Sequence, residues 1–136
     1  QRMEERYAVT ITIESEAGDE VFVQTVQGTV YRKSNAWYLR YEEQGGEGES
    51  TRTLVKVSDK AWKVRRSGAV ESEMIFDPQR QTAGYYRSSG LQLALTTRMR
   101  RSQVDLNAGR GVISWTYELG IGDAPAQIHR VTYRLS

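Results

Sequence analysis

The chain has 136 residues, 38% of them hydrophobic and 26% charged. That composition fits one folded domain rather than two, and it excludes a wholly disordered chain. There are no cysteines, so disulfides, thiolate catalysis and cysteine-built zinc sites are excluded together. The net charge of +2 permits contact with nucleic acid or an anionic surface without arguing for either.

Gln1 and Arg2 precede Met3, the expected native start, and residues 1–5 are expected to be disordered or an appended tag. No apolar stretch with a small-residue cleavage site follows, so no signal peptide is expected. No apolar run exceeds four residues, which argues against a membrane span, and a cytoplasmic location is expected. From there, two-residue alternation dominates. "RYAVTITIE" places Tyr7, Val9, Ile11 and Ile13 on one face and Ala8, Thr10 and Thr12 on the other. "EVFVQTVQGTVYRK" predicts a long strand from Glu20 to Lys33, and Gly28 inside it predicts a bend or bulge. "AWYLRYEE" sets Trp37, Leu39 and Tyr41 against Tyr38, Arg40 and Glu42. "EEQGGEGES" has no apolar residue; it reads either as a mobile hairpin tip or as a lid over a barrel mouth.

Seven more alternating runs follow: "TRTLVKVS", "AWKVRRS", "ESEMIFD", "QTAGYYRS", "LQLALTTRMRRSQVDL", "GVISWTYELGI" and "AQIHRVTYRL". In the long eighth run the apolar parity switches after Met99, which predicts a bulge between about Arg100 and Val104 that turns Arg101 outward. Turn signals such as Ser34-Asn35, Ser89-Gly90 and Asn107-Ala108-Gly109 separate the runs. No segment reads as a crossover helix, so the connections should be antiparallel hairpins. One apolar and one charged face on most strands requires the sheet to wrap around its apolar side. The expected fold is a single all-β domain spanning 1–136, an antiparallel meander barrel of eight to ten strands. A two-sheet sandwich is the alternative.

The segments "TLVKV", "RSGAV", "MIF", "YYRSSG", "LQLALTT", "GVISWTYEL" and "IGDAPAQIHRVTY" together resemble the YwiB-like family of small bacterial proteins of unknown function. The resemblance is collinear from about Tyr7 to Leu135. It implies a fold similar to the calycins, the barrel group that includes lipocalins. Calycin-like barrels often hold small apolar ligands, so the resemblance implies ligand binding by fold analogy alone. It carries no catalytic residues.

Arg66 is the residue that stands out. It shares parity with Trp62, Val64, Met74 and Phe76, so alternation points it inward. A guanidinium cannot shed its charge, and an unpaired buried charge costs several kcal/mol. Arg66 therefore needs a carboxylate, carbonyls, water or a ligand anion, and Glu43 has the parity to be its partner. A purely structural reading lays its stem on Trp62 at a closed rim, as calycins do. Tyr41, Tyr117, Tyr133, Thr53 and Thr97 also carry hydroxyls on inward parities. His129, the only histidine, shares the parity of Val131, Tyr133 and Leu135 and reads as a core residue. Ser114, Thr116 and Glu118 take the outward parity of their strand.

Three functional readings follow. The first is non-enzymatic binding of a small apolar or amphipathic molecule inside the barrel, at Arg66, Trp62, Tyr41, Trp115, Tyr117, His129 and Tyr133. It requires a connected cavity of a few hundred cubic ångströms. The second is a filled-core interaction domain meeting a protein partner or a second copy, with Val21 and Val23 as the first place to look for an outer apolar patch. The third is nucleic-acid binding through an outer-wall patch of Arg98, Arg100, Arg130 and Arg134; stacking aromatics are missing beside it, which weighs against this reading. No catalytic motif, metal cluster or cofactor-binding motif is legible, so an enzyme is not expected.

Overall fold

The computed structural model describes residues 5–136 and contains ten strands where the sequence has ten alternating runs. They are β1 (Glu5–Ala17), β2 (Glu20–Lys33), β3 (Ala36–Gln44), β4 (Ser50–Val57), β5 (Trp62–Gly68), β6 (Glu71–Phe76), β7 (Thr82–Ser88), β8 (Leu91–Asn107), β9 (Arg110–Ile121) and β10 (Gln127–Leu135). A short 3-10 turn, Gly46–Gly48, lies between β3 and β4. Glu5 opens β1; the remainder of the segment expected to be disordered or appended lies outside the described residues.

Each strand pairs antiparallel with its sequence neighbours, and β1 pairs with β10 through Ile11↔Leu135 to Ala17↔His129. The sheet is thus a closed ten-stranded meander barrel and not a sandwich. Three of the hairpins turn on two residues that both have positive φ: Ser34 and Asn35 (52° and 63°), Ser89 and Gly90 (49° and 79°), Ala108 and Gly109 (52° and 77°). That φ pattern marks type I′ turns, whose twist matches the flanking strands. The connections after odd-numbered strands gather at one end of the barrel, the upper end. Those after even-numbered strands gather at the lower end.

The inward rows are those that alternation marks. Trp62, Phe76, Trp115, Tyr117, Tyr41 and Tyr133 are all buried. Their rings meet mostly edge to face: Trp62 and Trp115 at 5.3 Å, Phe76 and Trp115 at 5.4 Å, Phe76 and Tyr117 at 4.5 Å. Each such pair is worth about 0.5–1.5 kcal/mol beyond the area it buries. The lower end is closed by the β8–β9 hairpin, whose Gly109 packs so tightly on Tyr7 that a Cβ there would lie 2.4 Å from the ring. The outer wall carries charged rows such as Arg40, Lys56, Arg65 and Glu118. That is the reverse of a membrane-spanning barrel, whose apolar band faces out.

At two places the local detail can be compared with the sequence reading. The β8–β9 register shifts between Met99 and Arg101. The shift leaves Arg101 exposed opposite Thr116 and brings Val104 opposite inward-facing Ile113, as the parity switch requires. Of the bend or bulge expected at Gly28, no bulge forms: Gly28 pairs with Val9 in a register continuous along β1, and its pair with Tyr41 is the last between β2 and β3. The glycine is needed instead for close approach, because a Cβ would lie 2.5 Å from Ile11 Cδ1 and 2.6 Å from the Arg40 carbonyl oxygen.

Candidate functional site

Arg66 sits on β5 two residues before its upper end, opposite Thr53 on β4 and Ser72 on β6. Alternation does turn it into the barrel. There it borders a cavity of about 50 Å³, together with Tyr41 and Glu43 from β3, Trp115 and Tyr117 from β9 and Tyr133 from β10; Ser15, Gln24 and Met74 complete much of the wall. The rest of the interior is taken up by the aromatic cluster. A drug-sized ligand needs about 300–1,000 Å³, so this cavity has room for the polar end of a molecule and not for a whole one.

The polar groups of the cavity fall into a satisfied set and an unsatisfied set. The Tyr41 and Tyr133 hydroxyls share a hydrogen bond of 2.8 Å. Glu43 accepts from Gln24 Nε2 at 2.8 Å and from Thr53 Oγ1 at 3.3 Å. In contrast, Arg66 Nε, Trp115 Nε1 and the Ser72 hydroxyl are buried without a partner, and no other buried side-chain nitrogen or oxygen among the described residues shares that condition. No described carboxylate comes within ion-pairing distance of Arg66, Glu43 included. Arg66 and Trp115 thus both border this small space, and the chain supplies no acceptor to either buried N–H.

The electrostatics agree. Burial opposes the Arg66 charge, but the facing Tyr41, Tyr133, Glu43 and Tyr117 outweigh it and raise its pKa above the usual arginine value. It is a fixed cation. Burial raises Tyr41 and, much further, Tyr133, and pushes Tyr117 up to about 12. These phenols are neutral hydrogen-bond donors at any physiological pH. Chemically the arrangement suits a group with several lone pairs, a carboxylate or another oxyanion.

Five of the seven interior candidates, Arg66, Tyr41, Trp115, Tyr117 and Tyr133, line this cavity. Trp62 does not: it is packed in the core against Trp115. Nor does His129, which is half-buried near the upper rim and stacks on Tyr117 at 5.6 Å; burial lowers its pKa. Ser72 was not among the candidates, although its place opposite Arg66 could be read from the β5–β6 hairpin once a register was assumed.

Arg98, Arg100, Arg130 and Arg134 all lie on the outer wall, but acidic side chains are interleaved with them. Arg100 pairs with Glu118 at 3.6 Å and Arg134 with Glu14 at 3.1 Å; Arg98 lies opposite Glu118 and Arg130 opposite Glu16. A second cationic surface lies on β3 to β5, where Arg65 is opposite Glu73 and Arg52 opposite Glu42. Arg40, Leu54 and Arg65 line up in register across β3, β4 and β5, and with Arg52 they border a shallow groove of about 310 Å³. None of these three arginines forms an ion pair with a described residue. The signal for them was an outward parity shared by three consecutive strands.

Comparison with known proteins places this architecture. Residues 8–133 match the family model described as a domain of unknown function, DUF1934. The uncharacterized beta-barrel protein YwiB of Bacillus subtilis (strain 168) is 35% identical over 124 residues, which cover 91% of this chain and 87% of that protein. The crystal structure of the ywiB protein from Bacillus subtilis superposes with a TM-score of 0.77 at 27% identity, covering 97% of this chain and 94% of that one. The chain belongs to the DUF1934 family of β-barrel proteins, to which no function has been assigned.

Proposed function

We propose that this protein is a non-enzymatic binder of a small amphipathic molecule, calycin-like in plan, that seats the ligand's oxyanion end against Arg66 at the upper mouth of the barrel. One observation carries the reading: Arg66 and Trp115 border the same cavity, and each keeps a buried N–H without a partner. An unmade buried hydrogen bond costs about 1–3 kcal/mol, and a ligand oxygen supplies what both lack. The apolar part of the ligand lies above the cavity, along Phe22. Phe22 has the inward parity of β2, opposite Ser15, and is 67% exposed. Glu43, held by Gln24 and Thr53, lines the same cavity; a carboxylate there repels a dianion more than a monoanion, which favours a carboxylate over a phosphate.

The test is titration of the full chain with acetate, decanoate and inorganic phosphate at millimolar concentrations. Tryptophan emission and the ¹⁵N-resolved signals of Arg66 Nε–H and Trp115 Nε1–H report on the cavity. The expected result is saturable movement of both N–H signals, with decanoate tighter than acetate and phosphate weakest. If none of the three moves either signal, the donors are satisfied by ordered water and the reading is overturned.

A further inference from the structure

The upper half of β2, Glu20 to Gln27, pairs with β1 on one side only. Its pairing with β3 begins at Gly28↔Tyr41 and runs from there to Lys33↔Ala36. Above Gly28 the backbone on the second edge of the strand pairs with no described strand, and β3 reaches it only through the Gln24–Glu43 side-chain bond. Three consecutive residues on this edge, Val21, Phe22 and Val23, are 58%, 67% and 62% exposed.

Open edges are normally guarded by charge, proline or a bulge. Another long unpaired edge among the described residues is guarded in that way. β8 outruns its partner β7 beyond Thr97, and there it carries Arg98, Arg100 and Arg101 and a register shift. From Val21 to Gln27, β2 has no charged residue, no proline and no register shift. The contrast within one barrel indicates an edge that is covered.

We propose that the upper edge of β2 pairs antiparallel with the same edge of a second copy of this chain, joining two barrels across a two-fold axis. The charge pattern selects that occupant. On the outer face the rows run basic on β10 (Arg130, Arg134), acidic on β1 (Glu14, Glu16) and apolar on β2 (Val21, Val23). A two-fold junction sets the apolar row against itself and keeps each acidic row a strand away from its symmetry mate. Centred on Val23, it opposes Val21 to Thr25 and Glu20 to Val26, and no like charges meet. A self-complementary strip of this kind fits an isologous contact and offers an acidic or basic peptide nothing to read. The inference does not rest on Arg66, although Phe22 borders both the edge and the ligand path proposed above.

Sedimentation equilibrium of the full chain over a wide concentration range tests it, together with amide hydrogen exchange of residues 21–25. The expected result is a reversible species of twice the 15.5 kDa chain mass, with exchange at those amides slowing as concentration rises. Val23→Lys places a cation beside its own symmetry mate and should weaken association at least tenfold. Val104→Lys, an equally conservative change on the guarded β8 edge, should leave association unchanged. Because Val23 is exposed, circular dichroism should show both variants folded; if Val23→Lys fails to fold, the concentration dependence of exchange in the unaltered chain decides alone. A 15.5 kDa monomer at every concentration overturns the proposal, as does a dimer indifferent to Val23→Lys. Protection of the edge only when an extended peptide of another protein is added would also overturn it and assign the surface elsewhere.

Discussion

Arg66 on β5 and Trp115 on β9 border one 50 Å³ cavity, and neither Arg66 Nε nor Trp115 Nε1 has a hydrogen-bond acceptor. Other polar pairs in the same barrel are satisfied: Tyr41 with Tyr133 at 2.8 Å, and Ser114 with Thr132 at 3.0 Å. The shortfall is thus local to the mouth, which is where a ligand would relieve it.

If Arg66 serves binding rather than folding, Arg66→Met should not destabilise the protein. Replacing a buried charge with a hydrophobe of similar volume is often neutral or stabilising by about 1–4 kcal/mol. Urea unfolding should show an equal or higher midpoint with an unchanged slope, while the response of Trp115 Nε1–H to decanoate disappears. A loss of more than about 2 kcal/mol would mean that Arg66 has a structural partner, and the ligand reading would lose its main support.

The buried phenols make alkaline stability a second readout. Tyr41, Tyr117 and Tyr133 have folded pKa values raised above the unfolded value near 10, Tyr117 to about 12, chiefly by burial. A raised folded pKa favours the neutral form, so this contribution is fully present below about pH 10 and is lost as pH climbs through the folded values. For Tyr117 the contribution is on the order of 2–3 kcal/mol. Absorbance at a phenolate wavelength should show these three of the eight tyrosines ionising only with unfolding, above the others. Normal titration of all eight in the folded protein would contradict the packing of the aromatic cluster.

Alternation made the fold legible. Trp62, Val64 and Arg66 take the inward row, and Val9, Ile11 and Ile13 face them because a strand has a period of two. The parity switch near Arg101 even located the bulge. What alternation cannot carry is volume. Whether Trp115 and Phe76 meet at 5.4 Å or leave a hollow between them depends on rotamers and barrel shear, so the interior reads equally well as filled or empty. Pairing limits are also invisible: nothing in "EVFVQTVQGTV" says that β3 stops accompanying β2 above Gly28. The charge balance around the outer-wall arginines is hidden for a related reason. Arg98, Arg100, Arg130 and Arg134 share a parity, but Glu14, Glu16 and Glu118 reach the same rows from neighbouring strands, and cross-strand neighbours decide net surface charge.

That difference can be measured on a heparin column. Retention of a protein on a polyanion tracks the cations free to replace counterions. Arg40→Ala combined with Arg65→Ala should lower the elution salt concentration clearly, since neither side chain has a carboxylate partner. Arg98→Ala combined with Arg100→Ala should change it less, because those changes also release Glu118. The opposite order would restore the patch on β8 to β10 as the cationic face.

The closure of the lower end depends on backbone contact that only glycine allows. Gly111 begins the inward path of β9 with φ at 141°, and a Cβ built there would lie 2.0 Å from the Asp105 carbonyl oxygen. The obstacle is backbone of the paired strand β8, which cannot rotate aside as a side chain could. Gly111→Ala therefore combines unfavourable φ, about 1–3 kcal/mol, with overpacking, about 1–3 kcal/mol, so a loss on the order of 2–5 kcal/mol is expected in urea unfolding. Gly46→Ala, with nothing near its Cβ position, should stay within about 0.5 kcal/mol. Because Gly111 lies between Leu106 and Leu135, far along β9 from Trp115, the destabilised protein should keep its response to decanoate at low temperature. A Gly111→Ala protein as stable as its parent would mean that β8 and β9 separate near their hairpin, and that Tyr7 and Gly109 do not seal the barrel there.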